Sequence, residues 1–134
     1  MRVGSMYAVL FDRALEIYTV ESDDPLHKIS FDTQQTGFDF ISSTSLVVSD
    51  DKGRLTLLTR IDKSETIEMK IIETKVQKFR SVTTAGASED DDFFCTLSKD
   101  GLQFWHTKSL LNQAETFKDD MIISLNPERS IKLN

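Results

Sequence analysis

A chain of 134 residues can bury one hydrophobic core, and its 39% apolar and 28% charged residues place it with globular domains, away from disordered segments. Its 16 Lys and Arg stand against 22 Asp and Glu, and the net charge of −6 argues against direct DNA binding, which clustered basic groups provide. The single cysteine, Cys95, excludes an intrachain disulfide and points to an intracellular compartment, cytoplasm or nucleus.

From the N-terminus onward, Met1 to Ser5 lack a long apolar run and no stretch reaches about 18 consecutive apolar residues, so neither a secretory signal nor a membrane span is expected. Met6 to Phe11 and Leu15 to Val20 alternate as a β-hairpin turned at Asp12-Arg13-Ala14. Leu26 to Phe31 follows as an outer strand and Gly37 to Ile41 as an inner one. A second hairpin pairs Leu46 to Ser49 with Leu55 to Ile61 across Asp50-Asp51-Lys52-Gly53, and Thr66 to Glu73 and Val76 to Val82 repeat the outer and inner strands. The third hairpin runs from Phe93 to Leu97, turns at Ser98-Lys99-Asp100-Gly101 and returns through Leu102 to Thr107. Ser109 to Lys118 reads either as a short helix, from the spacing of Leu110, Leu111, Ala114 and Phe117, or as an outer strand, and Met121 to Leu125 reads as a strand that begins or completes a further unit.

The three return strands align as LEIYT from Leu15, LTLLT from Leu55 and LQFWH from Leu102, with starts 40 and 47 residues apart. Repeats of that length, each holding a hairpin and two further strands, are what the blades of a β-propeller produce. The expected fold is therefore all-β: about three four-stranded antiparallel blades over residues 1–34, 35–74 and 75–120, with a terminal strand over 121–134, forming an incomplete ring in a single domain.

SKDGLQFWHT, Ser98 to Thr107, resembles the end of a WD repeat, where a Ser-x-Asp-Gly turn leads into a strand closing on Trp-Asp. His106 stands in place of that Asp, the other units carry Tyr18-Thr19 and Leu58-Thr59 there, and the Gly-His pair that opens a repeat is missing. The resemblance implies degenerate WD-repeat-like blades whose structural motif is Asp100, Gly101, Trp105 and His106, without the full buried Asp–His–Ser/Thr–Trp hydrogen-bond network of that family. A narrower resemblance rests on the order AVLFDRALEIYTVESDDPLHKISF, LVVSDDKGRLTLL, TKVQKFRSV and FFCTLSKDGLQFWHT. It is similar to the C-terminal half of the ribosome-assembly WD-repeat factors related to the p21-activated-kinase-interacting protein, which implies the nucleolus and a pre-ribosomal particle as partner. The basic C-terminal tail of those factors is absent from this sequence.

Chemistry-bearing motifs are sparse. Glu89-Asp90-Asp91-Asp92 offers clustered carboxylates to a cation or a basic partner, against the alternative of a solvated loop, and it lacks calcium-loop spacing. Lys75, Lys78 and Arg80 are interleaved with Val76, Phe79 and Val82 as on a strand with one charged face, so Lys75, Lys78, Arg80, Asp90, Asp91 and Asp92 are the candidate partner-binding residues. His27 and His106 belong to no metal-ligand spacing, no nucleophile motif is present, and the five glycines are too dispersed to cradle a phosphate, so no cofactor and no catalysis are expected. Cys95, inside Phe93-Phe94-Cys95-Thr96-Leu97, reads as a core thiol.

The function expected is a non-catalytic scaffold for protein–protein interaction, its ring completed by another chain, a second copy or a longer parent protein of which this is a fragment, because an incomplete ring leaves sheet edges and core open. The rival is a complete small β-sandwich or barrel, closed by a helix at Ser109 to Lys118, that binds a peptide or lipid headgroup.

Overall fold

The computed structural model describes residues 2–3, 6–63, 67–84, 93–116, 122–124 and 126–132. The chain is mostly β, arranged as three sheets that follow one another along the sequence. The first is a meander of β1 (Arg2–Val3), β2 (Met6–Phe11), β3 (Ala14–Thr19) and β4 (His27–Ser30). The second contains β5 (Gln35–Ser42), β6 (Ser45–Asp50), β7 (Arg54–Thr59) and β8 (Glu68–Glu73), again antiparallel and in chain order. The third begins with β9 (Phe79–Thr84), β10 (Phe93–Ser98) and β11 (Gly101–His106).

After β11 the chain departs from the simple repeat. The stretch from Ser109, left between helix and strand by its pattern, is helical as far as the described residues go: α1 spans Thr107–Thr116 and seats Leu110 and Ala114 in the core. The strand expected near Met121 is present as β12 (Ile122–Ser124), but it starts no new unit; it lies parallel to β8 at the edge of the second sheet. The fourth strand of the third sheet is β13 (Arg129–Ile131), paired with β11 through Leu102↔Ile131 and Phe104↔Arg129. The third unit thus extends past the expected boundary at residue 120.

Two clusters make the core, one on each face of the second sheet. Leu46, Val48 and Leu58 pack towards Met6, Leu15 and Ile17 of the first sheet. Val47, Leu55, Leu57 and Ile72 pack towards Phe79, Phe94 and Trp105 of the third sheet. A sheet covered on both sides needs apolar residues in unbroken runs, and this is why β6 and β7 read LVV and LLT while β2 and β3 alternate. Each fully buried Leu among these contributes about 2 kcal/mol of transfer free energy.

The inner strands β5 and β9 lie backbone to backbone. At Gly37 a Cβ would stand 3.1 Å from both Ser81 Cα and Val82 N, so only glycine permits this approach without displacement. Gly53 has a stronger requirement: its φ is +80° and a Cβ would fall 1.7 Å from the Val76 carbonyl oxygen. Among the described residues no helix is long and apolar enough to cross a membrane.

Candidate functional site

The β10–β11 hairpin holds the motif that the sequence singles out. Ser98 Oγ accepts from the Asp100 backbone N–H at 3.2 Å, and Gly101 follows at φ +127°, which closes the two-residue turn. Side chains on the face turned to the second sheet then form a buried chain of hydrogen bonds. Trp105 Nε1 donates to Thr96 Oγ1 at 2.9 Å, Thr96 Oγ1 donates to Gln103 Oε1 at 2.9 Å, and Gln103 Nε2 donates to Ser98 Oγ at 3.0 Å. Phe94 stacks on Trp105 with centroids 6.1 Å apart, and Phe79 meets it edge-on at 6.4 Å. Asp100 itself is exposed at the turn.

His106 caps the helix. Its Nδ1 accepts from the Ser109 backbone N–H at 3.2 Å and lies 2.7 Å from Ser109 Oγ, the arrangement of an N-cap side chain satisfying an orphan amide three residues on. Phe93 packs edge-on against the imidazole at 5.2 Å. The histidine and serine are a hydrogen-bonded pair, but their geometry is that of a helix start, with the ring nitrogen accepting from main chain as well as hydroxyl.

The basic stretch falls differently from its expected alternation. Lys75 and Lys78 precede β9 and only Arg80 lies within it, because the chain crosses between sheets at residues 74–78. All three are exposed, so they offer charge to solvent without sharing one strand face. Asp90, Asp91 and Asp92 lie outside the described residues.

A second polar centre escaped the sequence reading. Asp50, 4% exposed at the end of β6, accepts from the Lys52 and Arg54 amides at 2.9 and 2.8 Å through Oδ1. Its Oδ2 accepts from Thr33 Oγ1 at 2.8 Å and Arg54 Nε at 3.2 Å, and Arg54 reaches on to Asp32 at 3.3 Å. This clasp fastens the link between the first two sheets to the β6–β7 turn and borders a cleft of about 300 Å³ that Phe31, Met69 and Ile71 also line. Asp-Asp-Lys-Gly was legible as a turn, but its partner Thr33 is 17 residues away and no local pattern announces it.

Two titrating groups are displaced. The Tyr18 hydroxyl donates to Glu16 at 2.9 Å, and this bond to a carboxylate raises the phenol above its ordinary 10.0. Burial pushes the Cys95 thiol above its ordinary 9.0, which disfavours the reactive thiolate. Among the described residues no three His, Cys, Asp or Glu side chains gather as metal ligands.

The site is thus a set of hydrogen-bonded locks within and between sheets, together with exposed sheet faces and loops. The groups described above fix the geometry of the turns, the helix start and the contacts between sheets. No protein-family model and no curated protein matches the sequence.

Proposed function

We propose that this chain is a non-catalytic, WD-repeat-like propeller segment that serves as a scaffold for other proteins. The observation that carries the reading is the succession of three sheets of four, five and four strands, each with its hairpin at the same place and with the inner strands β5 and β9 in close backbone contact. The Trp105–Thr96 hydrogen bond adds to it, since a tryptophan bonded to a hydroxyl on the neighbouring strand is one limb of the WD-repeat network. Gln103 and Ser98 take over where that family uses His and Asp, which accounts for the missing Gly-His pair.

Apolar surface supports the binding role. Phe11 is 51% exposed and Val9 40%, both on the outer face of the first sheet, where a further element would have to pack to remove them from water. The rival sandwich needs two sheets facing each other, and three in series favour the propeller segment.

The setting we propose is intracellular, nucleolar or cytoplasmic, with precursors of the large ribosomal subunit as the particle served. It rests on the resemblance of the hairpin order. Epitope-tagged chain run through a sucrose gradient is the test: co-sedimentation with pre-60S particles is expected, and tagged chain found only at the top of the gradient would remove the ribosomal assignment.

A further inference from the structure

We infer that His106 is a pH-sensitive latch on α1: the neutral imidazole holds the first turn of the helix in place, and protonation releases it. The latch rests on hydrogen-bond geometry alone and stands whether or not the scaffold reading does.

Hydrogen bonding fixes where the imidazole proton sits. A backbone N–H can only donate, so the 3.2 Å contact from the Ser109 amide requires a bare lone pair on Nδ1 and places the one proton of the neutral ring on Nε2. The Ser109 hydroxyl lies 2.7 Å from the same nitrogen. When the ring takes a second proton, Nδ1 becomes a donor. The hydroxyl can then turn and accept from it, but the amide cannot, and it becomes an orphan of the helix start. His27, the other histidine, responds differently. Its Nε2 stands 3.1 Å from the Ile61 carbonyl oxygen and must donate there, which the neutral and the protonated ring do alike.

The surroundings oppose the imidazolium as well. It would sit at the positive end of the helix dipole, where the first turn holds no acidic residue and Lys108 is adjacent. Two charged groups face it from the segment around β13 among the described residues. Glu128 lines the same small cavity but is exposed, so water screens its pull, and Arg129 pairs with Phe104 on the strand face that His106 shares. From β10 come the Phe93 ring, at 5.2 Å, and the uncharged Cys95 thiol on the same face, while Asp92 lies outside the described residues. The second sheet contributes only apolar Leu55 and Ile72 to the cavity. What the cap holds is more than one turn. α1 seats Leu110 and Ala114 in the core with Trp105, and the chain beyond it pairs β12 with the second sheet before β13 returns to the third. The cap is therefore intact with the ring neutral, and the segment that ties the two sheets together slackens as pH falls from about 8 to about 5, where imidazoles gain their proton.

Nitrogen-15 NMR on the full chain tests the latch at about pH 7.5 and about pH 5.5, towards either end of the range in which imidazoles titrate. At the higher pH, long-range proton–nitrogen correlations should show His106 as the Nε2–H tautomer; the Nδ1–H tautomer, or a ring already charged, overturns the inference. Exchange of the Leu110 and Leu111 amides, corrected for the intrinsic effect of pH, should be about fivefold faster at the lower pH, the usual consequence of losing an N-cap. The β4 amides around His27 should keep their protection. His106→Asn keeps an oxygen acceptor that does not titrate, so its α1 exchange should be the same at both pH values. A pH effect that survives in His106→Asn, or none in the wild type, overturns the inference. If His106→Asn does not fold, His27→Gln makes the assignment: a pH effect that stays in this variant belongs to His106, and one that vanishes overturns the inference.

Discussion

At the scale of single residues, Trp105 does two things that can be pulled apart. Its ring fills the space between the second and third sheets, and its N–H satisfies Thr96. Trp105→Phe keeps most of the volume and loses the hydrogen bond, so a loss of about 1–2 kcal/mol is expected in denaturant unfolding. Trp105→Ala also opens a cavity and should cost about 3–5 kcal/mol. Gly53 is the other sensitive position: Gly53→Ala forces a Cβ into the Val76 carbonyl and a side chain into positive φ, for an expected loss of about 2 kcal/mol or more. The Cys95 thiol gives a pH signature. Below its ordinary 9.0 both the folded and the unfolded thiol hold their protons, so the group leaves stability unchanged there. As pH rises above that value the unfolded thiol ionises before the buried one, and stability falls until the folded thiol ionises too. Measured unfolding between pH 8 and pH 10, about the range where thiols titrate, should show a downward slope that is shallower in Cys95→Ala.

At the scale of elements, the hairpins were legible because their signals are local. Alternation, Asp-Gly and Lys-Gly turns, and bulky β-branched residues act within a few positions, and all three hairpins stand within about two residues of their expected ends. The helix was half legible, since leucine and alanine at helical spacing competed with strand propensity and the deciding contact is the His106 cap together with burial against the third sheet. What the sequence withheld was long-range pairing. Three apolar residues at Ile122–Ser124 and Arg129–Ile131 cannot announce which sheet they join, and β12 joins the second by a parallel pairing that a meander would not suggest. The Asp50 clasp was hidden for the same reason. Asp50→Ala removes an acceptor from two amides, a hydroxyl and a guanidinium at once, so it should cost about 2–4 kcal/mol and loosen the link between the first two sheets. Asp50→Asn retains one acceptor oxygen and should recover part of that loss, with thermal melting of both variants as the check.

At the scale of the whole molecule, stability is unevenly distributed. The second sheet is covered on both faces and its central strands β6 and β7 are buried along most of their length, whereas the outer face of the first sheet leaves Val9 and Phe11 exposed. Such a layout makes the middle sheet the last to open and makes the outer sheets depend on whatever covers them. This is how the fold and the proposed scaffold role connect: a partner seated on the first sheet would take Val9 and Phe11 out of water. The sequence showed the repeated hairpins, but not the pairing of β13 with β11, which no repeat predicted.

Hydrogen–deuterium exchange of the full chain at a series of protein concentrations tests this account most directly. Protection of β6 and β7 should be the highest at every concentration, while β2 and β3, which carry the exposed Val9 and Phe11 face, should exchange faster. Equal protection of all three sheets at every concentration would contradict it and would mean that the chain closes on itself.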